Sequence, residues 1–224
     1  MSLKNIIRGL GFEVILLVVF AGIMLYQAVP EVIVSLKPAV SYEDMLEEGA
    51  TVKAGDHVSG EVCYVLDYFA TESTYTQRSD GTRSGDKASG RYYLLPTADN
   101  FIALKCRQAD VAALEQLADE TWAYMTDGTE PTTEFAMEGR VDVLEPQLAG
   151  YYREYLADMG YTEEELDAMG DPLVVQYVSF TACWVMTGIG LVLVLVAVLL
   201  FRRRYHIAVY GSGRPKAEDL PDLQ

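Results

Sequence analysis

Apolar residues collect in one long run near each end of this chain and are broken into short stretches between them. The first run covers 14–29. The second extends over 173–201 with no charged residue and stops at Arg202-Arg203-Arg204. A hydrocarbon core of about 30 Å takes about 20 helical residues. The second run exceeds that length, and the first reaches it with its flanks. The pattern predicts an N-terminus (1–9), a transmembrane helix (10–34), a domain of its own (35–171), a second transmembrane helix starting at Pro172 (172–201), and a basic anchor with a disordered tail (202–224). Around Tyr26-Gln27-Ala28-Val29-Pro30 the small-residue spacing of a signal-peptidase site is poorly matched, so the first run reads as a retained anchor.

Between the runs, local signals predict an α+β domain. Ser41 with Asp44, and Thr162 with Glu165, have the hydroxyl-to-carboxylate spacing of capping boxes. Gly49, Gly160 and Gly170 fall where helices end, and 53–56 reads as a turn. Residues 58–69 read as one long strand with Gly60 at a bend, and 71–90 as a polar loop or hairpin tip. Strands are expected at 91–96 and 101–107 around a turn at 98–100. Asp110 is placed to cap a helix with the stripe Val111, Leu114, Ala118, Thr121 or Trp122, and Met125. After the connector 126–133, residues 135–144 read as a strand broken by Gly139. A helix with the stripe Leu148, Tyr151, Tyr152, Tyr155 and Met159 follows. Three strands, a helix and a further strand fit a small OB-like β-barrel with an inserted helix. Its fifth strand is not evident; Val52 or 141–144 would have to supply it. A different α+β sheet packed by one helix is the competing arrangement.

Charge sets the orientation. Between Glu31 and Pro172 there are 29 Asp/Glu and 10 Lys/Arg, whereas Lys4, Arg8, Arg202, Arg203, Arg204, Arg214 and Lys216 lie outside that segment. Basic flanks stay in the cytoplasm, so both termini are expected inside and the acidic domain outside a cell membrane. The three arginines should hold anionic headgroups. Glu13 is expected at headgroup level. The acidic balance argues against nucleic acid as a partner.

Candidate chemistry is sparse, and neither a catalytic motif nor a cofactor is expected. His57 has no second ligand near it in sequence and reads as a turn or surface residue; His206 reads as interfacial. The clusters Glu47-Glu48 and Glu163-Glu164-Glu165 lack the alternating oxygens of a calcium loop. Arg78, Arg83 and Lys87 make the densest basic stretch of the domain, which is usually only solubilising. Cys63 and Cys106 fall in two expected strands, where either a disulfide or two buried thiols fits. In the second apolar run, Gln176, Ser179, Cys183, Thr187 and Gly190 recur at helical spacing as a small or polar packing face. That face would pack on the first helix, with close approach at Gly22, or on a protein partner or second copy.

The stretches Ile7-Arg8-Gly9-Leu10-Gly11-Phe12-Glu13, Gly55-Asp56-His57-Val58-Ser59-Gly60-Glu61-Val62 and Met137-Glu138-Gly139-Arg140-Val141 resemble an uncharacterised family of bacterial two-span membrane proteins with an OB-like outer domain. The resemblance implies topology and fold and brings no activity with it. Two functions are expected from these readings: a non-enzymatic, membrane-anchored interaction module, or an accessory subunit of a larger membrane complex held through the 176–190 face.

Overall fold

The computed structural model describes residues 11–210 apart from 76, 78–80, 83 and 86. Lys4, Arg8, Arg78, Arg83 and the tail 211–224 therefore lie outside the described residues. The chain divides into two compact units, one made of the two ends and the other of Ile33–Ser179.

In the first unit, α1 (Phe12–Ser35) and α6 (Phe180–Tyr210) are the elements. Both are long and apolar enough to cross a membrane. Val14, Ala21 and Ala28 are buried at seven-residue intervals, one small-residue stripe over successive pairs of turns. Gly190 backs onto this helix: a Cβ there would stand 2.9 Å from Leu25 Cγ and 3.7 Å from the Ala21 carbonyl oxygen. The expected approach at Gly22 does not occur, since a Cβ there meets nothing within 4 Å. α6 continues through the arginines rather than ending before them, and Arg204 pairs with Glu13.

The central unit is α+β. Among the described residues it holds α2 (Tyr42–Glu47), β1 (His57–Glu61), β2 (Tyr68–Thr74), β3 (Lys87–Pro96), β4 (Phe101–Arg107), α3 (Val111–Asp127), β5 (Ala136–Val143), α4 (Pro146–Asp158), α5 (Glu163–Ala168) and β6 (Leu173–Tyr177). The six strands form one mixed sheet in the order β1-β5-β6-β4-β3-β2, with only β4 and β6 parallel. A closed barrel is not what the pairing gives.

Two segments depart from expectation for one reason, burial on both faces of the sheet. Residues 173–177 are a central strand, not the start of a helix. Val175 faces the core under α3 and α2 with Tyr93, Leu104 and Val141, while Val174 faces a second core with Leu94, Tyr152 and Leu156. A strand buried on both sides reads as an unbroken apolar run, indistinguishable by period from buried helix. Residues 58–69 are likewise not one strand. The chain leaves β1 at Glu61, crosses by 62–67, and enters β2 at the opposite edge. In that crossing Val62 and Val65 enter the first core and Leu66 the second. The Val65 amide donates to the buried Thr121 hydroxyl at 3.2 Å, and the Leu66 amide to the Leu94 carbonyl at 2.7 Å.

Local chemistry explains the other boundaries. Both capping boxes form, at Ser41/Asp44 and Thr162/Glu165. Asp110 precedes α3 but makes no side-chain cap, because its carboxylate takes the Arg107 guanidinium at 2.8 and 3.2 Å. Trp122 and Met125 are exposed, and Leu117 completes the buried stripe. On α4, Tyr152 and Leu156 face inward while Tyr151 and Met159 are exposed. Gly139 does not break β5, which runs unbroken beside β6.

Glu120 ties the connector after α3 to that helix. Its carboxylate accepts from the Thr132 and Thr133 amides at 2.6 and 2.7 Å, from Thr133 Oγ1 at 2.7 Å and from Gln116 Nε2 at 2.9 Å. The Thr133 hydroxyl, Gln116 and these amides hold its pKa down from 4.5 to about 2. A depressed carboxylate stabilises the fold above its unfolded value and loses that contribution as pH falls through the folded one. Thermal melts between pH 5 and 2 should therefore show an acid loss in Tm that Glu120→Gln flattens. An unchanged acid limb in the variant would refute this role.

Candidate functional site: a groove on the second face of the sheet

On the second face, α4 covers one part of the sheet and leaves beside it a groove of about 670 Å³. This lies within the roughly 300–1,000 Å³ range of small-molecule sites. Alternation along the strands builds its floor. Tyr92 on β3 is paired in register with Lys105 on β4, which is paired with Gln176 on β6. Glu72 reaches in from β2, and Tyr151 and Gln147 line the opposite wall from α4.

A half-buried ion pair crosses the floor. Lys105 Nζ donates to Glu72 Oε1 at 2.9 Å and lies 5.4 Å from the centre of the Tyr92 ring. Glu72 Oε2 also accepts from Ser89 Oγ at 3.3 Å. Burial pulls the Lys105 pKa down, but hydrogen bonds to Glu72 and Tyr92 outweigh it and leave it above the ordinary lysine value. The lysine is thus a cation throughout the neutral range, neutralised in place by Glu72. Phe69 packs edge-on to Tyr152, with ring centroids 5.7 Å apart, and closes the apolar end beside Leu148. On α4, Gln147 Nε2 donates to the Tyr151 hydroxyl at 3.2 Å. The Gln176 side chain makes no hydrogen bond to another protein group among the described residues.

The sequence-predicted residues fall elsewhere, with one exception. Gln176 belongs to the groove, not to a helix face, because β6 ends at Tyr177; Ser179 precedes α6. Cys183, Thr187 and Gly190 do lie on α6, with Gly190 against α1. Cys63 and Cys106 are free thiols. Cys63, expected in a strand, sits in the crossing segment instead, and Cys106 is buried on the first face. His57 is not a surface residue: it is buried on β1, with Nε2 3.0 Å from Glu138 Oε1 and Nδ1 3.4 Å from the Lys37 carbonyl oxygen. Glu163 and Asp167 both accept from Arg153, at 2.8 and 2.6 Å. Sequence reasoning missed Glu72, Tyr92 and Lys105. The available signal was Lys105 itself, a lone charge inside the apolar run 101–106.

A second concavity of about 260 Å³ lies at the end of the sheet where β4 and β6 begin, between the 97–100 turn and the end of α5. Asn100 and Arg153 are engaged locally there: Asn100 Nδ2 donates to the Met169 carbonyl at 3.1 Å, and Arg153 is held by the two carboxylates, while Thr51, Asp99 and Asp171 also line the concavity.

Residues 4–203 match a family model described as a domain of unknown function, DUF8577. The chain belongs to that family. The match takes in the central unit and nearly all of both apolar helices, so the family is defined on the whole arrangement rather than on the sheet alone. Neither a curated protein nor a solved structure matches the chain.

Proposed function

We propose that this DUF8577 member is a membrane-anchored, non-enzymatic interaction module. Both apolar helices span a cell membrane in this reading, both termini are cytoplasmic, and the central domain faces the outside. The observation that carries it is the groove: a ligand-sized concavity with unused polar capacity, on a domain joined at each end to a helix long enough to span a bilayer. The orientation rests on the arginines beyond one helix and the acidic balance between the helices.

We read the domain as a distorted OB-like barrel, with β1 and β2 as two halves of one bent strand. In support, the two edge strands are consecutive in the chain, and α3 sits between the third and fourth strands so counted. The accessory-subunit alternative has less support, because two of its five face residues are not on α6 and Gly190 is occupied by Leu25.

Site-specific photocrosslinking in native membranes tests the module reading. A photoreactive residue in place of Tyr151, at the groove rim, should capture a discrete adduct. The same residue in place of Thr129, on the exposed connector after α3, should not. Equal capture at both sites, or none at Tyr151, would count against it.

A further inference from the structure

The groove's chemistry narrows what it takes. The charges in its floor cancel: Lys105 and Glu72 satisfy each other at 2.9 Å, so a charged ligand would have to break a half-buried pair to find a counter-charge there, and the remaining charged lining residue, Glu145, is exposed at the edge, where water screens it. The acidic surroundings further oppose a polyanion. What remains for a ligand is neutral hydrogen bonding. The Gln176 amide, with two donors and an acceptor, lines the groove floor without a protein partner among the described residues, and across from it Gln147 and Tyr151 keep donor and acceptor capacity beyond their mutual bond. Tyr92 is buried in the floor beside Lys105, so the ring that offers a face is Tyr151, exposed at the rim.

A ligand matching that set needs groups that donate and accept at once, no net charge, and an apolar C–H face to lie on that ring. From this we infer that the groove binds an uncharged polyhydroxylated ligand, a short stretch of neutral oligosaccharide. The floor amide and ion pair orient its hydroxyls, and Tyr151 stacks on a sugar face. This inference rests on the interaction-module reading and specifies its ligand class.

The test uses the full chain in lipid nanodiscs, free of glycoside detergents that would compete. Maltotetraose, cellotetraose and chitotetraose serve as neutral probes, tetragalacturonate as the anionic one, and calorimetric titration gives Kd. At least one neutral tetrasaccharide should bind. Gln176→Ala and Tyr151→Ala should each raise its Kd about tenfold, the size expected for losing a good hydrogen bond or a ring contact. Tyr151 is exposed, so its variant keeps the fold even where the strand variant does not. Absence of neutral binding, preference for tetragalacturonate, or binding that neither substitution weakens would overturn the inference. If photocrosslinking at Tyr151 still captures a ligand while the neutral sugars fail, only the ligand class is wrong. If both fail, the module reading falls with it.

Discussion

An excised domain that ends at Asp171 will not fold, whereas one that ends at Ser179 will. The eight residues between include β6, which pairs with β5 over five positions and with β4 over three. Val174 and Val175 are almost completely buried, one in each core. Burial of each valine contributes about 1.5–3 kcal/mol, and each ladder hydrogen bond about 1 kcal/mol. Together these rival a typical total stability of about 5–15 kcal/mol. Removing β6 also leaves β4 and β5 with facing unpaired edges in the middle of the sheet, an invitation to aggregate. Circular dichroism and size exclusion of 33–171 beside 33–179 decide the matter. A soluble, cooperatively melting shorter form would refute the assignment of β6.

Gly139→Ala should destabilise the domain by about 3 kcal/mol or more, the upper end for overpacking a core position. The added methyl would overlap the Gln176 carbonyl oxygen and stand 3.0 Å from Val175 Cγ1. Both belong to the central strand β6, which is held on both sides and has little room to yield. Gly150→Ala is the matched contrast. Nothing lies within 4 Å of a Cβ there, and the site is inside α4. Relieving a helical glycine should add about 0.5–1 kcal/mol. Urea midpoints of the 33–179 domain read both changes, and a tolerated Gly139→Ala would contradict the packing of β5 on β6.

These two cases also mark how far the sequence could be read. Where a signal is local it was legible. Both capping boxes form at the expected residues, β4 occupies the expected 101–107, and Gly49, Gly160 and Gly170 take the positive φ that ends a helix. Where the signal depends on which neighbours cover a strand, it was not. β6 is buried on both faces and is separated by only two residues from a helix that is apolar all round, so one continuous run hides a strand, a short connector and a helix. The groove was invisible for a related reason. Glu72 and Lys105 are 33 residues apart, and only the β2-β3-β4 pairing brings them to 2.9 Å. His57 was misjudged because its partner, Glu138, is 81 residues away on the neighbouring strand.

The central claim, that the helices are membrane anchors displaying the domain outside, is tested most directly by cysteine labelling in intact cells. Thr129→Cys lies on an exposed part of the central domain and Gly213→Cys in the C-terminal tail; the unmodified chain gives the background of the native thiols. A membrane-impermeant maleimide should label Thr129→Cys in intact cells and reach Gly213→Cys only after permeabilisation. Labelling in the reverse order, or of both positions in intact cells, would contradict the account.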